Sequence, residues 1–258
     1  RLEEKMLKYL DCSSDGCITH ITLNRPDVLN ALNYELMQEL TNTIHLLNED
    51  ANCHSIILRG AGDKSFCSGM DLQLTRTLDK DTSADWLKRL KVLYEAIRSV
   101  TKPLVCTVNG VAAGAGYQLA LLTDIRIGHI GSQMGQTEIN VGLASLLGAH
   151  IMEPFLGRAH TIELTLTGRL MDGEECHKLG LLNYCVEYNE IDIKALEVAQ
   201  ELAKKPPIAM SLTKQRFREA TQNDFDRAFE MAIRLQSKAY QSGEPQRVMN
   251  SFLQKKEN

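Results

Sequence analysis

The chain has 258 residues, 43% hydrophobic and 24% charged, which is enough for one large domain or two small ones with a substantial core. A formal net charge of −4 and an aromatic content of 5% exclude the basic, base-stacking surface of a nucleic-acid binder. The longest near-apolar run, residues 111–122, contains Gln118 and falls short of the ~20 residues a membrane-spanning helix needs.

Residues 1–8 are rich in charge and lack the apolar core of a signal peptide, and Met6 is the expected native start. The seven cysteines are odd in number, irregularly spaced and without a C-x-x-C pair. Free thiols in a reducing compartment are expected, in the cytoplasm or in an organelle matrix after removal of a presequence. Residues 18–23 alternate apolar and polar and predict a half-buried strand, broken by Asn24-Arg25-Pro26-Asp27. Asn33 is placed to cap a helix with Leu36, Leu40, Ile44 and Leu47 on one face. Residues 55–58 read as a short buried strand stopped by Gly60-Ala61-Gly62. A helix over about 85–100 carries Leu87, Leu90, Tyr94 and Ile97 in one stripe, and 103–108 is the next strand. Strand, helix, strand order implies an α/β core with crossover connections. The C-terminal third reads as almost entirely helical. Gly157 and Gly168 punctuate it, Asp172 opens a short helix ending near Gly180, and Phe225, Ala228, Phe229, Ala232 and Leu235 form an amphipathic stripe.

Several enzyme signatures are missing: no Walker A loop, no G-x-G-x-x-G, no G-x-S-x-G and no H-E-x-x-H. The seven histidines are scattered, so no metal site is expected. Two segments carry small residues where the chain must turn after a strand: Lys64-Ser65-Phe66-Cys67-Ser68-Gly69-Met70-Asp71-Leu72, and Asn109-Gly110-Val111-Ala112-Ala113-Gly114-Ala115-Gly116. The second runs into an apolar helix beginning near Gly116, whose N-terminus offers unpaired N–H groups. Two such donors converging from separate loops would hold a developing oxyanion, a contribution of about 3–4 kcal/mol per donor. On the residues alone, two tight turns beside a closely packed helix are the favoured account of these segments.

Their order along the chain decides between them. Leu23-Asn24-Arg25-Pro26, Leu29-Asn30-Ala31-Leu32, Phe66-Cys67-Ser68-Gly69-Met70-Asp71-Leu72, Ala113-Gly114-Ala115-Gly116, Met134-Gly135-Gln136-Thr137-Glu138 and Leu166-Thr167-Gly168-Arg169 follow one another at spacings that resemble the enoyl-CoA hydratase/isomerase family, the crotonase superfamily. The resemblance implies an α/β fold, a crotonase-like spiral of ββα units over residues 1–195, with a helical C-terminal oligomerisation region over 196–258. It implies homotrimers, or hexamers built as dimers of trimers. It also implies an acyl-CoA substrate, with coenzyme A as part of that substrate and no separate cofactor. The oxyanion donors carried over are the backbone N–H groups of Met70 and Ala115. Coenzyme A is expected beside Asn24, Arg25, Phe66, Ser68, Gly69, Asp71 and Leu72.

Hydratases of the family use two glutamates. The chain keeps one as Glu138 and has Gln118 at the other position. Alone, Glu138 reads as a surface or capping carboxylate and Gln118 as pocket wall; within the matched motifs both are catalytic candidates. Hydration needs a base for water and an acid for the α carbon, and an amide cannot take a proton at neutral pH. Moving a double bond from the 3 to the 2 position needs only one carboxylate, removing a proton from C2 and returning one to C4. Isomerisation through Glu138 is therefore favoured. Hydration with Gln118 orienting the water, and an acyl-CoA-binding scaffold without efficient catalysis, are the alternatives. Gly142-Leu143-Ala144-Ser145-Leu146-Leu147 replaces the family's proline- and glycine-rich stretch and implies a more apolar acyl pocket.

Overall fold

The polar residues just before the first predicted strand are themselves a strand. In the computed structural model, which describes residues 7–257, β1 (Leu10–Asp15) and β2 (Ile18–Leu23) form an antiparallel hairpin. β1 is an edge strand with only Leu10 fully buried, so it carries no alternating apolar signal. The expected start at Met6 lies outside the described residues.

The next elements follow local signals closely. The Asn33 side chain accepts the Leu36 N–H and caps α1 (Tyr34–Glu49), a contribution of about 1 kcal/mol. β3 (Ser55–Gly60) pairs parallel with β2. β4 (Ser65–Cys67) leaves for a second sheet, followed by the single turn α2 (Leu72–Thr75) and the long α3 (Thr82–Ser99). α3 starts three residues before the predicted Asp85, because the Asp79 carboxylate accepts the Asp81 and Thr82 N–H groups. β5 (Leu104–Val108) begins after Pro103, which has no N–H to give but whose carbonyl accepts the Ile56 N–H. β6 (Val111–Ala113), α4 (Ala115–Leu121), β7 (Ile125–His129), β8 (Gln133–Gly135) and α5 (Leu147–Thr167) complete the pattern.

Three consecutive units, opening with β3-β4, β5-β6 and β7-β8, each give one strand to each of two sheets and then a helix. The larger sheet has the order β1-β2-β3-β5-β7 and ends on β10 (Tyr184–Val186); the smaller runs β4-β6-β8 and ends on β9 (Met171–Asp172). These two short edge strands interrupt what reads in sequence as a continuous helical third. Between them Asp172 caps α6 (Gly173–Lys178) by accepting the Glu175 N–H.

Both faces of the larger sheet are covered. Ile56 and Leu58 of β3 join the main core with α1 and α3, while Ile57 joins Ile18, Val105 and Ile127 on the opposite face. That double burial is why 55–58 reads as continuously apolar. α7 (Ile191–Ala203) covers the second face with Ile191, Ala195, Val198 and Ala199. It straddles the expected division at 195/196 and belongs to the sheet's packing. α8 (Pro207–Gln241) packs on α3, and α9 (Glu244–Glu257) folds back over the segment around Gly142. On α8 the buried face runs Phe225, Phe229, Ala232, Gln236 and Tyr240, passing over the predicted Leu235. No helix among the described residues is long and apolar enough to cross a membrane.

Candidate active site

β4, β6 and β8 are parallel, so their carboxyl ends point the same way. The residues that follow each strand meet at a cavity of about 560 Å³: Gly69 and Met70 after β4, Gly114 and Ala115 after β6, Glu138 after β8. The carboxyl ends of parallel strands are where α/β folds hold ligands, because the chain leaves the sheet there with free backbone groups.

The first two loops touch. A β carbon at Gly69, where φ is +102°, would lie 2.9 Å from the Ala113 carbonyl oxygen and 3.5 Å from the Ala115 nitrogen. Only glycine permits that approach. Gly69 O and Asp71 N both bond to Leu32, and strand alternation therefore turns the intervening Met70 N–H to the other side. Ala115 is the first residue of α4, so its N–H has no acceptor within the helix. Two backbone donors from separate loops are thus brought to one wall.

Glu138 lies against the same wall. A β carbon at Gly114 (φ +53°, ψ −123°) would sit 3.3 Å from the Glu138 Cδ and Oε1. Glu138 Oε1 accepts a hydrogen bond from Gln118 Nε2 at 2.8 Å, while Oε2 is buried without a partner among the described residues. Burial pushes the carboxyl pKa up to about 7, against the lowering effect of its own backbone N–H and of the Gln136 and Gln118 amides.

Gln118 is fully engaged. Its Nε2 also donates to Gln136 Oε1 at 3.2 Å, and its Oε1 accepts from the Tyr94 hydroxyl at 2.8 Å. Tyr94 is completely buried, and that burial holds its pKa well above the usual phenol value, so it stays a neutral donor. The chain Tyr94 → Gln118 → Glu138 fixes which way the amide faces: oxygen to the phenol, nitrogen to the carboxylate. Both Gln118 amide protons are thus placed on acceptors, one on Gln136 Oε1 and one on Glu138 Oε1.

The residues expected around coenzyme A separate into two groups. Ser68, Gly69, Asp71 and Leu72 line the cavity, as do Asp27, Val28 and Leu29. Asn24, Arg25 and Phe66 do not line it. Asn24 Nδ2 donates to Asp11 at 2.9 Å on β1. Arg25 Nη2 bonds Asp71 Oδ2 at 3.0 Å and its Nη1 bonds the Ala31 carbonyl, so it ties the 24–31 turn to the 68–72 loop. Phe66 sits on β4 with its side chain fully buried in the main core. The turn presents its following residues to the cavity, because Asn30 is wholly buried and anchored to the Ala61 and Ser65 carbonyls.

Leu143, Leu146 and Leu147 of the leucine-rich segment line the cavity, as does Ala144. Sequence reasoning passes over Tyr94, Gln136 and Gln236. Tyr94 sits in an apolar stripe and reads as core, and Gln236 is polar within an apolar face. The spacing of Phe225, Phe229 and Ala232, extended by four, would have found Gln236. Among the described residues no group of three or more His, Cys, Asp and Glu side chains is arranged to hold a metal.

A family model described as enoyl-CoA hydratase/isomerase matches residues 13–258. The chain belongs to the enoyl-CoA hydratase/isomerase family. It is 27% identical to a short-chain-enoyl-CoA hydratase of Clostridium acetobutylicum over 94% of this chain and 93% of that protein. It is 29% identical to the 1,2-epoxyphenylacetyl-CoA isomerase of Escherichia coli over 97% of each. The crystal structure of an enoyl-CoA hydratase from Bacillus anthracis superimposes with a TM-score of 0.79 at 27% identity, covering 87% of this chain and 89% of that one. Relatives bearing both hydratase and isomerase names thus align over nearly the whole of this family member.

Proposed function

We propose that this protein is an enoyl-CoA isomerase that moves a double bond from the 3 to the 2 position of an acyl-CoA thioester, with Glu138 as its single acid–base group. The observation that carries this reading is the state of that carboxylate: Oε2 buried and unpartnered among the described residues, a pKa of about 7, and an amide, not a second carboxylate, at 2.8 Å. In the proposed step Oε2 takes a proton from C2. The electron pair passes through the adjacent double bond and the thioester carbonyl, giving a dienolate. The Met70 and Ala115 N–H groups hold the enolate oxygen, each contributing about 3–4 kcal/mol where charge develops. The protonated Glu138 then gives its proton to C4. A pKa near the working pH suits a group that must act first as base and then as acid.

The leucine-lined wall offers the acyl chain an apolar surface. The coenzyme A portion would lie against the 27–29 and 68–72 segments, and the reaction needs no cofactor beyond the coenzyme A of the substrate. A homotrimer, or a hexamer of two trimers, is part of the same proposal, and the exposed Ile208, Leu212 and Phe217 of α8 support a covered surface there. A reducing compartment is also proposed, which all seven cysteines being free supports.

The test offers a 3-enoyl-CoA and a 2-enoyl-CoA separately to the wild type and to Glu138→Gln. The 3-enoyl substrate is consumed by the wild type, and the substitution slows this by ~10²–10⁴-fold. Fast hydration of the 2-enoyl substrate would overturn the isomerase reading. Thioester binding without turnover of either substrate would turn it into a scaffold.

A further inference from the structure

Gln136 follows β8 directly and does not line the cavity, yet it is buried against the acid–base network. Its Oε1 accepts one Gln118 amide proton at 3.2 Å, while the other lies on Glu138 Oε1 at 2.8 Å. The Tyr94 hydroxyl donates to the oxygen end of the Gln118 amide and so sets the direction of the whole chain. The oxygen of Gln136 therefore faces Gln118, and its nitrogen faces away. That Nε2 is a buried donor without a partner among the described residues, as Glu138 Oε2 is a buried acceptor without one. The Gln136 amide also lies flat against the start of α5. A β carbon at Gly148 would stand 1.8 Å from its Oε1, 2.0 Å from its Cδ and 2.4 Å from its Nε2. Only glycine lets the helix backbone serve as the wall that holds this amide.

Steadying an ionised carboxylate takes a donor or a positive charge, and among the described residues no Lys, Arg or His lines the cavity. Of the ionisable neighbours, Tyr94 is held neutral by burial, and burial pushes the Cys67 thiol up to about 12. Asp71 is paired with Arg25, and Asp27 is exposed. The amides are what remains. Gln136 makes no full hydrogen bond to Glu138, yet it opposes the effect of burial on that carboxyl at least as strongly as Gln118 does. We infer that Gln136, braced by Gly148, is a positioning residue that fixes the plane of the Gln118 amide and steadies the ionised form of Glu138. The inference rests on the reading of Glu138 as the acid–base group and adds what sets its working pH.

The experiment follows the protonated carboxyl band of the full chain by pH-difference infrared spectroscopy, with Glu138→Gln identifying the signal. Gln136→Met keeps the length of the side chain and removes the amide. It moves the Glu138 titration midpoint to higher pH. In steady-state kinetics on a 3-enoyl-CoA it lowers kcat at pH 7 about tenfold, with KM unchanged. The loss shrinks in alkaline solution, where Glu138 ionises without help. Gly148→Ala displaces the same amide without altering its chemistry and moves the midpoint in the same direction. If one of the two variants does not fold, the other decides alone. A midpoint that stays in place overturns the inference, as does a loss of kcat equal at every pH, which marks a merely structural role. The infrared titration needs no turnover, so the two readings fail separately. A shifted midpoint in a protein that does not isomerise upholds this inference and sinks the isomerase assignment. Isomerisation through a Glu138 whose titration ignores Gln136→Met does the reverse.

Discussion

Gln118→Glu tests most directly why one carboxylate serves here. Gln118 Nε2 stands 2.8 Å from Glu138 Oε1. Two ionised carboxylates at that separation repel by about 6 kcal/mol at an effective dielectric constant of about 20, or roughly four pH units on the second ionisation. Burial already holds Glu138 at about 7, so the second proton leaves only in strongly alkaline solution. Through neutral pH the variant carries one charge and one shared proton, and titrates as a pair. That state contains both a base for water and an acid for the α carbon. The expected result is a gain in hydration of a 2-enoyl-CoA of about 10²-fold or more over the wild type, flat through neutral pH. The wild type's isomerisation rate should instead rise with pH through a midpoint near 7, as Glu138 loses its proton. Loss of the conjugated thioester absorbance measures hydration and its appearance from a 3-enoyl-CoA measures isomerisation, each followed across pH with circular dichroism to confirm folding. A folded variant with no added hydration and an unchanged pH profile would refute the reasoning.

Other consequences can be checked independently. Because the folded Glu138 keeps its proton to about 7 against an ordinary value of 4.5, the native state binds more protons than the unfolded chain between those limits. Its stability should fall by about 3 kcal/mol as pH rises through that window; Glu138→Gln should therefore raise Tm at about pH 8 and change it little at about pH 4. Tyr94→Phe leaves the Gln118 oxygen without its donor, and kcat should drop about tenfold with little change in KM, as read from steady-state kinetics. Gly114→Ala forces an L residue into φ +53°, ψ −123° and against the Glu138 carboxyl; it should cost about 1–3 kcal/mol by denaturant titration and lower kcat as well. Arg25→Met strands Asp71, whose side chain is 15% exposed; it should cost about 2–3 kcal/mol and raise KM by loosening the 68–72 loop.

What the sequence made legible was what local rules govern. The strand before Asn24, the Asn33 cap and the two small-residue turns need only neighbours in the chain to declare themselves. The motif order then placed Met70, Ala115 and Glu138 on one site, and the structure brings their segments to one wall. The rest depends on partners distant in sequence. β1, β9 and β10 are edge strands whose pairing partners, not their own residues, make them strands. Arg25 sits within a motif yet clamps Asp71, 46 residues on. Tyr94 lies in an apolar stripe, and only the fold reveals that its hydroxyl meets Gln118, 24 residues away. Gln118 itself was visible as a departure from the family, but only the fold shows its amide bonded to Tyr94, Gln136 and Glu138.

The closing of the cavity by α9 has a consequence in time. Phe252 and Leu253 line the same cavity as Asp27 and Leu29, and Val248 packs where a β carbon on Gly142 would come within 3.0 Å. A polypeptide emerging from the ribosome folds its first units early, yet these walls are added only when α9 has been released. Nascent chains can thus be largely folded and still unable to enclose a thioester.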